Sequence, residues 1–300
     1  MNTDSLNYNE KMYDVIFITT YIDDYAINDL INSIITNNYQ LKVALIVVNQ
    51  TIKLRWVNTN DNVAIIYIDA GKRLSLSAAR NYAINHVINN NIKSNHVIFP
   101  DDDTTFDKSF FKNYPTIIED DESYIMEVYC QGTNKMYKQN NFVDGWKMKL
   151  NNWNSIGSVY MIVNYSVFIK VGLFDESLGA GTNYGSSEDV DYYIRCCKIC
   201  SYFNYSKKLR NFHPSPIETF KGLSIKQLIK RFNGYGKGAV YALCKNHLYF
   251  DAFIICLRAM GGAAKSILSF NFRLSMCYFL SFFTRVYTFF MAIINYDKKN

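Results

Sequence analysis

The sequence predicts an α/β fold built on an open, mainly parallel sheet, and three observations predict it. Short β-branched runs recur through the first hundred residues. Stretches with apolar residues at helical spacing separate them. A carboxylate cluster follows one run directly, at the carboxyl end of a strand, where ligands of such sheets collect.

The runs "YDVIFITTY" (13–21), "KVALIVVNQ" (42–50), "VAIIYID" (63–69) and "NHVIFP" (95–100) have strand length and polar borders. Helices are predicted over "AINDLINSIITNN" (26–38) and "LSAARNYAINHVINN" (76–90). Further on, "SIGSVYMIVNYSVFIKVG" supplies another buried strand and a short helix. "GAGTNYGSSED" (179–189) is a loop running into a helix, with Ser186 or Ser187 as its cap and acids in its first turn. Asp191 and Arg195 then form an i,i+4 pair. "LSIKQLIKRFNGYGKGAVYALCKN" (223–246) leads into an apolar-basic tail, and its "FNGYGKGA" is expected to bend the chain.

With 49% hydrophobic and 19% charged residues, the 300-residue chain is globular rather than disordered. Residues 1–12 are polar, which predicts a flexible N-terminus and no secretory signal. The seven cysteines are odd in number and show no disulfide-framework spacing, so they read as reduced cytosolic thiols. Cys196, Cys197 and Cys200 lack a second pair at zinc spacing, which favours helix packing over a metal.

The net charge of +6 is unevenly divided. Residues 1–197 hold 16 Lys/Arg against 23 Asp/Glu, whereas 198–300 hold 16 against 3, a balance of −7 and then +13. The basic third seeks a polyanion. Its cations alternate with apolar residues instead of forming a polar stripe, which speaks for an anionic membrane surface and against nucleic acid. Arg258, Lys265, Arg273 and Arg285 interrupt every apolar stretch before about 18 residues, the pattern of helices lying in a membrane surface. Lys226, Lys230, Arg231 and Lys237 are spaced so that several can share a helical face, and Phe279, Phe282, Phe283, Tyr287, Phe289 and Phe290 follow. A helical subdomain packed on the sheet, or a homo-oligomer interface, is the alternative.

"FPDDDT" sets Asp101, Asp102 and Asp103 side by side after an apolar strand. Adjacent carboxylates repel, so this loop expects a positive partner. A solvated turn is the bland alternative.

Taken in order, "TTY", "LSAARNYAI", "FPDDDT", "VGLFDESLGAGTNYGSSEDVDYYIR" and a later His resemble family 2 glycosyltransferases of the GT-A fold over roughly residues 13–240. The likeness is greatest to bacterial enzymes that build O-antigen, capsule or other surface polysaccharides. It implies a GT-A catalytic domain over 13–220, with a nucleotide-binding half (13–105) and an acceptor half (106–220). Residues 221–300 then form a basic amphipathic helical region that associates with membrane. The implied activity is inverting transfer from a nucleotide sugar, a UDP-sugar by preference, to a saccharide carried on a polyprenyl diphosphate. It would depend on Mn²⁺ or Mg²⁺ and occur peripherally on the cytoplasmic membrane face.

The same resemblance distributes the roles. Asp103 is the direct metal ligand, Asp101 faces metal or ribose, and Asp102 lies with them beside the nucleotide. His213 joins as a metal ligand or touches phosphate. Arg80 reaches nucleotide or diphosphate, its alternative being a surface salt bridge. Thr20 and Tyr21 hold the base by backbone contact and stacking. Asn49 and Gln50 stand where the family usually places an Asp for the base, and an amide still bonds an imide edge. Asp189 is the catalytic base, with Glu188 orienting it or binding acceptor hydroxyls; a plain acidic helix start is the alternative. One base and one metal suffice for inversion, with no nucleophilic carboxylate. A nucleotidyltransferase would need a glycine-rich loop after the first strand, and "TTYIDDYAIND" has none. A non-catalytic membrane- or nucleic-acid-binding adaptor is the remaining reading.

Overall fold

The computed structural model describes residues 12–22, 24–51, 61–133, 135–215, 220 and 222–297, so the N-terminus expected to be flexible lies outside them up to residue 11. The chain forms two compact units. One comprises Met1–Leu74, Ala78–Leu173 and Cys196–Ser215; the other comprises Ser75–Ser77, Phe174–Arg195 and Pro216–Asn300.

The first unit carries the whole sheet. Its strands are β1 (Met12–Tyr21), β2 (Val43–Asn49), β3 (Val63–Asp69), β4 (Lys93–Ile98), β5 (Tyr124–Cys130), β6 (Lys147–Met148), β7 (Met161–Asn164) and β8 (Phe203–His213). Their order across the sheet is β3-β2-β1-β4-β7-β5-β8-β6. β3, β2, β1 and β4 run parallel, as do β5 and β8; β7 is antiparallel to both its neighbours, and β6 to β8. The expected class, a mixed and mainly parallel GT-A-type α/β sheet flanked by helices, is the one observed. All seven residues of β2 are buried, as both faces of a parallel strand must be when helices cover them.

Helices α1 (Asp24–Asn37), α3 (Lys108–Ile117) and α4 (Tyr165–Val171) belong to this unit, while α2 (Leu76–Asn89) has its first two residues and α5 (Glu188–Cys200) its first eight assigned to the other. Phe17, Leu45 and Val47 of the strands meet Ile27, Leu30 and Ile34 of α1 and Phe106, Phe110 and Phe111 in one core. Phe106 sits edge-on to Phe17 at 5.1 Å and 4.9 Å from Phe110, a favoured aromatic geometry. That cluster fixes the chain three residues beyond the aspartate triplet.

A fourth aspartate, Asp107, has a different task. It caps α3 by accepting the Ser109 and Phe110 amides at 2.9 and 3.2 Å, and Arg210 holds its other oxygen at 3.0 Å. Beyond it, β5 and β8 pair in two registers. Met126 faces Ser206, but Glu127 faces Arg210, so Lys207, Lys208 and Leu209 bulge from β8.

The second unit contains α6 (Ile225–Lys245), α7 (Tyr249–Leu268) and α8 (Phe272–Asp297). Ser224 and Gln227 close a reciprocal capping box at the start of α6. "FNGYGKGA" does not bend the chain: α6 stays continuous through Gly234, Gly236 and Gly238. Those glycines serve close approach instead. A Cβ on Gly238 would meet the Ser186 carbonyl oxygen and hydroxyl, and one on Gly236 would lie 2.6 Å from Arg285 Nε. Arg285 also corrects the view that basic residues cut the tail into short pieces. Its Nη1 donates to the Ile255 carbonyl at 2.6 Å, so it points inward, and Phe272–Ile294 is long and apolar enough to cross a membrane.

Gly238→Ala is expected to destabilise the protein by about 1–3 kcal/mol, because Ser186's backbone must move. Gly261→Ala, in α7 with open space around its Cβ, should instead be neutral or stabilising by up to about 1 kcal/mol. Thermal melting of the two variants checks both signs.

Candidate metal centre and active site

The aspartate triplet leaves β4 through buried Phe99 and Pro100 and turns back when the Thr104 amide bonds the Asp101 carbonyl at 3.0 Å. Thr105 then pairs with Phe212 as an isolated antiparallel bridge, its amide and carbonyl bonded at 2.8 and 2.9 Å. This staple brings the end of β8 to the loop. His213, the last residue of β8, therefore meets the triplet: its Nε2 lies 3.1 Å from Asp103 Oδ1 and 3.5 Å from Asp101 Oδ2. Its Nδ1 faces the Pro214 carbonyl at 3.0 Å, and Tyr137 packs edge-on at 5.0 Å.

Arg80, on α2, is 1% exposed, which removes the surface-salt-bridge alternative. Its Nη2 donates to Asp101 Oδ1 at 2.9 Å and to Ser158 Oγ at 3.0 Å. Burial pushes the Asp101 carboxyl up, but the His213 hydrogen bond and the Arg80 charge outweigh it and hold the group below its ordinary range. Burial likewise opposes a proton on His213, yet Asp101 and Asp103 push its pKa up to about 10.

Ligand atoms of Asp101, Asp103 and His213 all lie within 4.8 Å of one another, a set able to hold a metal ion. Asp103 Oδ1 is shielded from solvent and, despite its closeness to Nε2, accepts no aligned hydrogen bond among the described residues. A buried acceptor in that state is what a cation satisfies. Two carboxylate oxygens with one imidazole nitrogen fit Mn²⁺, and Mg²⁺ less well because it prefers oxygen alone. Asp102 lies half-buried between them.

The other nucleotide candidates end neighbouring strands. Tyr21 pairs with Asn49, and Asn49 with Asp69, so three strand ends share one rim. Thr20 is half-buried, but Tyr21 is 1% exposed as a whole residue and belongs to the core, so its ring does not present a stacking face for a base. Asn49 Oδ1 accepts the Thr51 amide at 3.1 Å, and Gln50 Oε1 accepts the Leu74 amide at 2.8 Å. Asp69, exposed in register with Asn49, is a rim carboxylate that the strand pattern contained but sequence reasoning passed over.

Glu188 and Asp189 open α5 in the second unit, as expected. The serine cap does not form. Ser187 has φ +67°, outside the extended conformation of a cap, and Ser186 Oγ turns to Ser187 and the Tyr235 carbonyl. Asp189 accepts the neighbouring Val190 amide at 2.8 Å and is half-buried, whereas Glu188 is buried. Gly179 stands over Glu188: a Cβ there would lie 3.1 Å from its carboxylate. Asp191 and Arg195 pair at 2.9 Å as predicted, and Lys245 and Asn246 also bind Asp191, at 3.1 and 2.8 Å. Lys245 joins Asp175 as well, at 2.7 Å. Neither α6 partner was foreseen, because nothing in local spacing links residues so far apart.

No family model and no curated protein matches the sequence. Solved structures do resemble the fold. The mannosyltransferase PcManGT from Pyrobaculum calidifontis, in complex with GDP-Man and Mn²⁺, aligns over 92% of this chain and 88% of its own at 12% identity, TM-score 0.53. S. aureus TarS 1–349 aligns over 88% of this chain and 91% of its own at 12% identity, TM-score 0.51. The fold is the one these glycosyltransferases share. A longer TarS chain has also been solved, and this chain spans 49% of it. TarS 1–349 has also been seen with UDP-GlcNAc, at 13% identity and TM-score 0.50.

Arg80→Leu should destabilise the fold by about 2 kcal/mol, below the roughly 3–5 kcal/mol for breaking a fully buried pair, because Asp101 is one-third exposed. Denaturant unfolding measures it. The raised His213 pKa gives a pH signature. Its charged form stabilises the metal-free fold fully below about pH 6.5, and that contribution is lost as pH rises through about 10. A metal must displace that proton, so Mn²⁺ binding should strengthen from about pH 6 to 8 and release a proton. Calorimetry in two buffers of different ionisation enthalpy reads the release; its absence would exclude His213 as a ligand.

Proposed function

We propose that this protein is an inverting, divalent-metal-dependent glycosyltransferase, moving a sugar from a UDP-sugar to a saccharide on a polyprenyl diphosphate. The convergence of Asp101, Asp103 and His213 at the carboxyl rim of the sheet carries the reading. The shared fold supports it, as do the UDP-GlcNAc of one structural neighbour and the GDP-Man and Mn²⁺ of another.

In this reading Asp101, Asp103 and His213 would hold Mn²⁺ or Mg²⁺, which when bound would offset the charge that a departing nucleotide diphosphate gains. Arg80 keeps Asp101 ionised and aimed, through its 2.9 Å bond and the Ser158 hydroxyl. Thr20, the Tyr21 backbone, Asn49, Gln50 and Asp102 bound the nucleoside. Asp189 accepts the proton of the attacking hydroxyl, and Glu188 binds or orients the acceptor. Attack opposite the leaving group inverts the anomeric centre. A left-handed backbone at a non-glycine residue costs of order 1–3 kcal/mol, and such strain at Ser187, next to both carboxylates, supports a functional role for them.

Attachment to the cytoplasmic face of a membrane fits the second unit. Phe250, Phe253, Phe272, Phe283 and Phe290 are exposed large apolar side chains of α7 and α8. Surface-polysaccharide assembly is the biological setting proposed.

The test is a screen of UDP-, GDP- and dTDP-sugars for Mn²⁺-dependent release of the nucleotide, stopped by chelator. Asp103→Ala should lower kcat by at least about a hundredfold, and Asp189→Asn by about 10²–10⁴. Unaltered transfer by an Asp103→Ala, Asp189→Ala double variant would overturn the proposal.

A further inference from the structure

A cleft of about 730 Å³ lies within the second unit, between the 180–185 loop and the first half of α6, in the size range of small-molecule sites. Lys230, Arg231 and Lys237 line it, and among the described residues no acidic side chain does. Lys230, Asn233, Gly234 and Lys237 follow the spacing i, i+3, i+4, i+7, so they form one stripe along the helix. Gly234, without a side chain, makes the middle of that stripe concave. Gly185 approaches it there, where an added Cβ would lie 3.3 Å from the Gly234 Cα.

The cations differ in exposure: Lys230 is exposed at the mouth, and Lys237 sits deeper. Lys237 is half-buried, and neither it nor Lys230 forms an ion pair among the described residues. Arg231 is fixed in place. Its Nε donates to the Tyr235 hydroxyl at 3.0 Å, and its guanidinium lies 5.3 Å from the Phe220 ring centre. Asn233 adds a buried side-chain oxygen with no hydrogen-bond partner among the described residues, a site for a ligand hydroxyl. Three cations around one concavity match a multiply charged anion better than a single carboxylate.

α8 runs beside this helix. Its body packs on the face of α6 opposite the lysine stripe, through Ser281 and Tyr278 against Phe232, but its start reaches the cleft, where Arg273 donates to the carbonyl of the lining residue Leu223. Its outer side exposes Phe272, Phe279, Phe283 and Tyr287. A charged concavity next to an apolar aromatic face suits an amphiphile with an anionic head and a hydrocarbon tail.

We infer that the cleft binds the diphosphate of a lipid-linked acceptor, with Lys230, Arg231 and Lys237 on the phosphates, Asn233 on a sugar hydroxyl and the tail along α8. This deepens the proposed function and rests on it for the word acceptor; the binding itself does not. Lys230 and Lys237 thus face a ligand head group rather than lying flat on a lipid surface.

The experiment measures binding of detergent-dispersed geranylgeranyl diphosphate, inorganic pyrophosphate and geranylgeraniol to the full chain. Geranylgeranyl diphosphate should bind most tightly. A Lys230→Gln, Lys237→Gln variant should weaken it at least about tenfold, and Lys230→Arg, Lys237→Arg should restore it. Equal binding by the Gln variant with an unchanged melting temperature would overturn the inference. So would pyrophosphate binding as tightly as the prenyl ester, or displacement of the prenyl ester by UDP, which would make the cleft a donor site. Asp103→Ala should lose Mn²⁺–UDP binding while keeping the prenyl diphosphate. Prenyl diphosphate binding without any sugar-nucleotide turnover would sink the proposed function and leave the cleft assignment standing.

Discussion

Crowded negative charge at the end of β4 is the constraint around which the first unit is organised. Three consecutive carboxylates cannot sit at a sheet rim without positive partners, and this chain provides two from distant segments. Arg80 comes from α2 and His213 from β8. Burying a guanidinium costs several kcal/mol of desolvation, which only good geometry and further hydrogen bonds repay. The Asp101 carboxylate and Ser158 hydroxyl supply both. The resulting arrangement ties Asp101 from two sides and leaves Asp103 Oδ1, 3.1 Å from the imidazole, without an aligned hydrogen bond among the described residues. Such asymmetry is characteristic of a ligand-binding site rather than a structural ion pair.

Much of this was legible from the residues. β-branched runs bounded by polar residues located four parallel strands to within two residues, because burial on both faces leaves a continuous apolar signature. The aspartate triplet drew notice by its electrostatics and its place after an apolar strand, and its roles came from the resemblance. What spacing cannot convey is partnership across the chain. Asp107 is chemically identical to Asp103, yet it caps α3. His96 and His213 are equally plain in sequence. His96 is buried, with one nitrogen 2.8 Å from the Tyr114 hydroxyl and the other 2.8 Å from the Glu122 carbonyl, whereas His213 meets two carboxylates. Only the Thr105–Phe212 bridge separates their roles.

In the second unit, local propensity was the poorer guide. Three glycines within five residues ordinarily weaken a helix, and here each lets another segment's backbone or a long side chain lie against α6. Counting charges along α8 misled for a related reason. Arg285 turns inward to a carbonyl of α7, so a cation in the sequence is not a cation on the surface. The serine cap failed because Ser186 is recruited by α6. Tertiary contacts override local signals in all three cases.

The bulge at Lys207–Leu209 separates β8 into two independently registered halves. Its lysines are exposed, but the Lys207 amide bonds Asp144 and the Lys208 carbonyl accepts from Asn113, so a one-residue insertion at 207–208 costs those bonds while leaving the pairing of 210–213 in place. The same insertion between 210 and 213 would carry the imidazole to the opposite face of the sheet. Tolerance to length change along this single strand therefore switches abruptly over three positions, and the switch marks where scaffold gives way to chemistry.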